Sequence, residues 1–209
     1  PYLKPCVAAI ARLARDFGIS AVLCTATQPS LDFLLKQYSG DMPVRELAPD
    51  PEKLNAAFRR TTIRMAGPMD DEALAAALNG HDQALCVVNT KRHAQALFGK
   101  LREEGAYQLT TLLYPAHRER KLAEIRARLK GGLPCRVVST SLIEAGVDVD
   151  FPAVYRAVAG LDSILQAAGR CNRENRRDCA ASVVTVFEPE IPSPRMFKPN
   201  IEAARGAMR

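Results

Sequence analysis

Short apolar runs alternate with longer amphipathic stretches from Thr61 to Phe187. Apolar runs of four to six residues are typical of buried strands, and apolar positions that recur every three or four residues are typical of helices. The pattern predicts strands at 62–65, 84–88, 108–113, 136–139, 154–158 and 182–187. It predicts helices at 70–78, 91–104, 118–130 and 163–173. Regular alternation of strands with helices predicts an α/β fold, in which helices cover both faces of a parallel sheet.

The first 60 residues follow a different pattern. Apolar residues from Leu3 to Phe17 recur at helical spacing, Gly18 ends that helix, and Ala21–Cys24 predicts a buried strand. We therefore divide the chain into a leading segment at 1–48, a turn-rich connector at 49–60, a compact α/β segment at 61–190 and a tail at 191–209. Several prolines predict that the tail is an extended strap, which could end in a helix.

Composition limits the classes of protein to which this chain can belong. The hydrophobic fraction of 47% is ordinary for a folded chain of 209 residues, and no apolar run approaches the ~20 residues of a membrane span. We expect a cytoplasmic protein without a membrane segment or a signal peptide. A formal charge of +6 favours a polyanionic partner, although basic proteins without one are common. The six cysteines form no C-x-x-C pair, which favours reduced, buried thiols and no metal site.

The stretch from Gln166 to Arg173 reads Q-A-A-G-R-C-N-R. On a continuous helix, Arg170 and Arg173 would lie one turn apart on one face, behind Gly169. Two guanidiniums on one face can bind a polyphosphate, because each presents a planar fork of donors to phosphate oxygens. The alternative is that these arginines, with Arg176 and Arg177, form a solvated basic face.

The pattern Q-x-x-G-R-x-x-R resembles motif VI of superfamily 2 helicases. Three further stretches resemble motifs of that superfamily in the right order: T-A-T-Q-P at 25–29 resembles motif III, C-V-V-N-T-K at 86–91 resembles motif IV, and V-S-T-S-L-I-E-A-G-V-D-V-D at 138–150 resembles motif V. These motif sequences are most similar to those of the CRISPR-associated helicase-nuclease of type I systems. DEAD-box RNA helicases usually carry a histidine where Gln166 stands, so that class is disfavoured.

This resemblance implies an α/β RecA-like parallel sheet flanked by helices at 61–190, the second lobe of the helicase. Residues 1–48 would be a partial remnant of the first RecA-like lobe. Motif residues would gather outside the carboxyl ends of the strands, where ligands bind in such sheets. Arg173 would be the arginine finger, with Arg170 as its phosphate-binding partner. The remaining implied residues are Gln166, Gly169, Gly146 and Asp148 at the nucleotide, Asn89, Thr90, Lys91, Arg118, Ser139 and Thr140 at the nucleic acid, and Thr25 and Thr27 in coupling.

Two of these assignments have structural alternatives. Asp148 could accept a hydrogen bond from ribose, pair with an arginine of motif VI, or cap backbone N–H groups in a turn. Thr90 could be the N-cap of the helix that follows it, a role compatible with phosphate contact.

The 209 residues contain no G-x-x-x-x-G-K-[ST] and no Asp-Glu-x-His box. By resemblance, ATP and Mg²⁺ would be held mostly by a first RecA-like lobe, and a histidine-aspartate nuclease domain would belong to the same intact protein. We therefore expect a fragment that is inactive alone. The implied partners are single-stranded DNA and a CRISPR RNA-guided surveillance complex. The alternatives are a non-catalytic nucleic-acid- or protein-binding module, and a lobe of another superfamily 2 DNA-repair or RNA helicase.

Overall fold

The computed structural model describes residues 3–24, 31–40, 43–143 and 146–208. It divides into two units, Pro1–Phe58 and Arg59–Arg209. The first unit contains α1 (Leu3–Phe17), α2 (Asp32–Ser39) and α3 (Pro51–Ala57). Val7 on α1 packs with Leu31 and Leu34 in a small apolar cluster. The predicted first helix is confirmed, and Gly18 follows it in a left-handed conformation with φ +65°.

The predicted strand at Ala21–Cys24 is wrong. These four residues are exposed and have no regular structure. A central parallel strand needs neighbours that pair with its N–H and C=O groups, and the described residues of the first unit form no strand. An apolar run by itself is therefore not enough to predict a strand.

The second unit is built on a parallel sheet. Its strands are β1 (Thr62–Met69), β2 (Gln83–Val87), β3 (Ala106–Leu109), β4 (Cys135–Ser139), β5 (Ala153–Ala157) and β6 (Val183–Pro189). They lie in the order β1-β6-β5-β2-β4-β3, and every pairing is parallel. The helices between and after them are α4 (Asp71–Asn79), α5 (Lys91–Phe98), α6 (Pro115–Lys130), α7 (Leu161–Ala168) and α8 (Lys198–Ala207). The α/β class and the parallel sheet are confirmed.

The sheet is buried on both faces. Leu85 and Val87 of β2 belong to the apolar cluster on one face, and Ala84 and Cys86 belong to the cluster on the other. Successive side chains of a strand point to opposite faces, so a strand covered on both sides reads as an unbroken apolar run. This is why β2 was visible in the sequence without any alternation.

Local signals set the starts of two helices. The Asp70 carboxylate accepts a hydrogen bond from the Ala73 N–H at 2.7 Å, and the Thr90 hydroxyl accepts one from the His93 N–H at 3.1 Å. The predicted N-cap role of Thr90 is confirmed. At its other end, α5 stops at Phe98, six residues before the predicted end, because Gly99 caps it and the chain then turns.

The tail is helical near its end. Ile201 and Ala204 of α8 are buried, and they pack with Val158, Ile164 and Val186. An apolar residue every third position gives α8 a face that this cluster covers. The helix expected at the end of the tail is therefore present. No helix among the described residues is long and apolar enough to span a membrane.

Candidate functional site

The predicted nucleic-acid residues cluster after the carboxyl ends of β2 and β4, which are neighbours in the sheet. Asn89 and Thr90 follow β2, and Thr140 follows β4. Lys91 is exposed in the first turn of α5. Thr140 is 9% exposed, and its N–H donates to the Leu109 carbonyl of β3. This end of the sheet, which we call the carboxyl edge, therefore presents Thr90, Lys91 and Thr140 together, as predicted for strands of one parallel sheet.

Asn89 also sits at the carboxyl edge, but its side chain is used inside the protein. Its amide donates to the Val158 carbonyl at 2.8 Å and to the Ser193 hydroxyl at 2.7 Å, and its carbonyl oxygen accepts from Arg156 at 2.7 Å. Arg156 is a buried cation on β5 that the sequence analysis did not identify. Asn89 thus joins three segments of the fold.

Ser139 was predicted to face the nucleic acid, and the structure corrects this placement. Its side chain is fully buried, and its hydroxyl donates to the carbonyls of Leu109 at 2.9 Å and Thr140 at 2.8 Å. As the last residue of β4, it points into the unit instead of past the edge. Arg118, another predicted contact, lies half-buried in the first turn of α6, where its N–H donates to the Tyr114 carbonyl at 3.0 Å.

Motif VI lies at the opposite end of the sheet. The Phe151 N–H donates to the Arg170 carbonyl at 2.9 Å, and Phe151 and Cys171 form a parallel bridge just before β5 begins. The prediction that all motif residues gather at the carboxyl ends is therefore wrong. Because α7 runs back along the sheet after β5, the chain that follows α7 returns to the amino end of β5. We call this end of the sheet the amino edge.

The two motif VI arginines do not share a helix face. The predicted helix was to run to Arg173, but α7 ends at Ala168, and Asn172 has a left-handed conformation with φ +48° that no α-helix contains. Arg170 is 8% exposed, and its Nε donates to the Ile143 carbonyl at 3.1 Å. Arg173 instead reaches the surface. Gln166 and Gly169 are both exposed at the end of α7.

Arg173 forms an ion pair with Asp148, 2.6 Å from Nε to the carboxylate, and the two side chains are 42% and 78% exposed. Of the three possibilities for Asp148, the structure has the pairing with a motif VI arginine. Gly146 precedes it with φ +70°, a conformation that suits glycine in the turn of motif V. The amino edge therefore presents the Arg173 guanidinium, tethered to a carboxylate.

Motif V connects the two edges. It begins with Ser139 and Thr140 after β4 and ends with Asp148 and Asp150 before β5. Between them lies the Ile143 carbonyl that Arg170 contacts. Glu144 and Ala145 lie outside the described residues, as do Thr25 and Thr27, the predicted coupling residues of motif III.

The buried cysteines are unreactive near neutral pH. Burial raises the pKa of the Cys135 and Cys171 thiols to about 12 and raises the pKa of Cys86 further. A thiol with such a raised pKa supplies almost no thiolate near neutral pH. Cys6 and Cys24, by contrast, are exposed, so the prediction of buried thiols does not hold for them. The described residues contain no group of three His, Cys, Asp or Glu side chains that could hold a metal ion.

Comparisons with known proteins agree with the motifs. The family described as "CRISPR-associated nuclease/helicase Cas3, C-terminal" matches residues 80–176. A CRISPR-associated nuclease/helicase Cas3 of Haloferax volcanii is 44% identical over 79 residues, which cover 36% of this chain and 8% of that protein. The chain thus spans less than a tenth of the length of this curated relative.

Two solved structures share the fold. The structure of T. fusca Cas3-ATP aligns with a TM-score of 0.55 at 19% identity, over 77% of this chain and 21% of that one. The DUF1998 helicase MrfA bound to DNA and AMPPNP aligns with a TM-score of 0.57 at 15% identity, over 98% and 30%. The predicted RecA-like architecture and the resemblance drawn from the motifs are confirmed. Residues 80–176 of the second unit are therefore similar to the C-terminal domain of the Cas3 family, and the unit shares its fold with the solved helicase structures.

Proposed function

We propose that this lobe is the second RecA-like half of an ATP-dependent, CRISPR-associated DNA helicase, and that Arg173 is its arginine finger. One observation carries the proposal: Arg173 presents its guanidinium at the surface of the amino edge, while Arg170 is buried. An arginine beside the γ-phosphate stabilises charge that grows during phosphoryl transfer, and such fingers contribute roughly 10³ to 10⁵ in rate in related systems.

The Asp148 pairing fits this role. Exposed ion pairs contribute little net free energy, because water screens them and both side chains lose freedom. A nucleotide phosphate carries more charge than one carboxylate and presents three oxygens to the planar fork of an arginine. Phosphate can therefore displace Asp148 from Arg173 without a large cost. In the assembled helicase, Asp148 would hold the finger in place until the nucleotide arrives.

The rest of the nucleotide site would come from a first RecA-like lobe. The 209 residues contain no phosphate-binding G-x-x-x-x-G-K-[ST], and the described residues contain no cluster that could hold Mg²⁺. The similar structures of Cas3-ATP and of MrfA with AMPPNP support a nucleotide beside this fold. Bound Mg²⁺ would neutralise phosphate charge, and Arg173 would add its positive charge from the opposite side of the γ-phosphate.

The carboxyl edge would bind one DNA strand. Thr90 and Thr140 place hydroxyls and backbone groups there, and Lys91 adds a positive charge. These groups contact phosphates and not base edges, so the grip would be independent of sequence. The MrfA structure, which contains DNA, supports a nucleic acid beside this fold. Motif V joins the two edges, so closure of the two lobes around ATP would shift the DNA contacts at the carboxyl edge.

The test compares substitutions of Arg173 and Arg176, which lie three residues apart, in the intact helicase. Arg173→Ala should retain ATP binding but lose turnover by at least a hundredfold, because a finger acts mainly in the transition state. Arg176→Ala is the matched control: Arg176 is exposed and pairs with Glu174. It should keep turnover within about twofold of wild type. Wild-type turnover by Arg173→Ala would reject the finger assignment.

A second candidate is a lobe of another superfamily 2 motor. The MrfA structure covers nearly the whole chain, with a TM-score slightly above that of T. fusca Cas3-ATP. The sequence match to Cas3 favours the CRISPR-associated type, for which we propose a CRISPR RNA-guided surveillance complex as recruiting partner. ATP-dependent unwinding that requires a target-bound surveillance complex would support this type. Equal unwinding without the complex would favour the other motor.

A further inference from the structure

The main chain of Arg173 is held at both of its polar groups. Its N–H donates to the Asp150 carboxylate at 2.7 Å, and its carbonyl accepts a hydrogen bond from the Arg60 guanidinium. Its side chain, in contrast, pairs at the surface with Asp148. The backbone of this residue is therefore fixed in place while its guanidinium remains accessible to a ligand.

Asn172 fixes the residue before it. Its side chain is fully buried, and its amide donates to the carbonyls of Arg60 at 2.9 Å and Arg177 at 2.8 Å. Its carbonyl oxygen accepts from the Arg177 N–H at 3.0 Å. The left-handed backbone of Asn172 turns the chain out of the α7 direction just before Arg173. Asparagine tolerates this conformation better than other residues with a side chain, and here its amide also joins three backbone groups.

Asp150 and Arg60 close the network. The second carboxylate oxygen of Asp150 accepts from the Arg177 guanidinium at 3.1 Å, so its charge is compensated in a site where it is 13% exposed. Arg60 lies two residues before β1 and exchanges hydrogen bonds with Asn172 and Arg173. The turn that carries Arg173 is thus tied to motif V, to the start of β1 and to Arg177.

We propose that Asn172 and Asp150 are positioning residues that pre-organise Arg173 for phosphoryl transfer, an inference that rests on the finger role proposed above. A donor fixed before the reaction needs no reorganisation when charge develops. A displacement of about 1 Å at a reacting group can cost about 10²-fold in rate. Neither positioning side chain touches the nucleotide in this scheme, and both act through the Arg173 backbone.

The test uses Asn172→Gly in the intact helicase, with Asn175→Gly as control. Asn175 lies on the same turn with a left-handed φ of +53°, and its side chain is exposed. Glycine adopts this conformation without strain, so the first change removes the buried side chain and its hydrogen bonds without imposing backbone strain. We expect kcat for ATP to fall about 10- to 100-fold in Asn172→Gly, with KM and the stoichiometry of AMPPNP binding unchanged. The control should keep kcat within about twofold.

Asp150 supplies an independent pair of variants. Asp150→Asn keeps an oxygen that can accept from the Arg173 N–H, whereas Asp150→Ala removes it. We expect kcat of Asp150→Asn to exceed that of Asp150→Ala about tenfold, with equal binding stoichiometry. Wild-type kcat in Asn172→Gly together with an inactive Arg173→Ala would overturn the positioning role and leave the finger standing. Wild-type turnover in Arg173→Ala would overturn both.

Discussion

At the level of single residues, two asparagines of the second unit connect separate segments through side-chain hydrogen bonds. Asn89 joins β5 to the loop before α8, and Asn172 joins the Arg173 turn to the segment before β1. Each uses two amide protons and one carbonyl oxygen, which is nearly the full hydrogen-bonding capacity of the side chain. A buried amide that is this fully satisfied stabilises the fold, and removal leaves several partners without a bond.

Asn89→Ala should therefore destabilise the protein. The variant leaves Arg156 without its 2.7 Å bond to Asn89 and frees the Val158 carbonyl. We expect a loss of about 1–3 kcal/mol in the free energy of unfolding, measured by urea denaturation. Asn200→Ala, an exposed position on α8, should change it by less than about 0.5 kcal/mol. An equal effect of the two changes would show that the Asn89 bonds carry no net stability.

Secondary-structure elements were predicted well where their signals are local. The strand cores, the start of α5 at the Thr90 cap and the span of α1 all follow from apolar spacing and capping residues. The ends of elements were predicted less well. α7 stops at Ala168 because Arg170 and Asn172 form backbone hydrogen bonds with Phe151, a partner about 20 positions away. Helical propensity within the segment contains no information about that pairing.

Gly105 shows how a close contact between elements constrains the start of β3. Its φ is +72°, and a Cβ there would lie 2.1 Å from the Pro134 carbonyl oxygen. Gly132 has a similar φ of +66° but open space around it. We expect Gly132→Ala to cost about 1–2 kcal/mol for its backbone conformation alone. Gly105→Ala should cost clearly more in the same denaturation assay, and equal costs would mean that the contact relaxes freely.

The parallel sheet separates the two proposed activities in the molecule as a whole. The groups proposed to contact DNA lie at the carboxyl edge, and Arg173 lies at the amino edge. Motif V is the covalent link between them, with Arg170 bonded to its middle at Ile143. A change at either edge can therefore reach the other through one short segment.

Stability should depend on pH through the buried thiols. Burial raises the pKa of Cys135 and Cys171 to about 12 in the folded protein, against about 8.5 for an unfolded cysteine. Between these values the unfolded chain releases protons that the folded chain retains, so the free energy of unfolding falls as pH rises above about 8.5. Urea denaturation from pH 7 to 10.5 should show this fall. Cys135→Ala should reduce its slope, whereas Cys6→Ala, at an exposed position, should leave it unchanged.

DNA binding by the 209-residue chain should be weak and strongly dependent on salt. Each phosphate contact should add about 0.7 to the slope of log affinity against log salt on single strands. Thr140→Ala should lower affinity equally for all sequences, because the proposed contacts are to phosphates. Thr61→Ala, just before β1 at the opposite edge, serves as control. A loss confined to certain sequences would indicate base readout and contradict the proposal.

The sequence by itself determined the parallel α/β class and the order of its elements, because apolar periodicity and capping act within a few neighbouring positions. The motif residues came from the resemblance to superfamily 2 helicases. It also identified Arg173 and Asp148, although not which possible partner Asp148 would take. Only the tertiary structure decided that Ser139 and Arg170 turn inward, that Arg173 turns outward, and that Arg60 and Asp150 hold its backbone. Those outcomes depend on pairings between separate segments, such as Ser139 with Leu109 and Arg60 with Arg173, and on which groups the packed sheet leaves accessible to water.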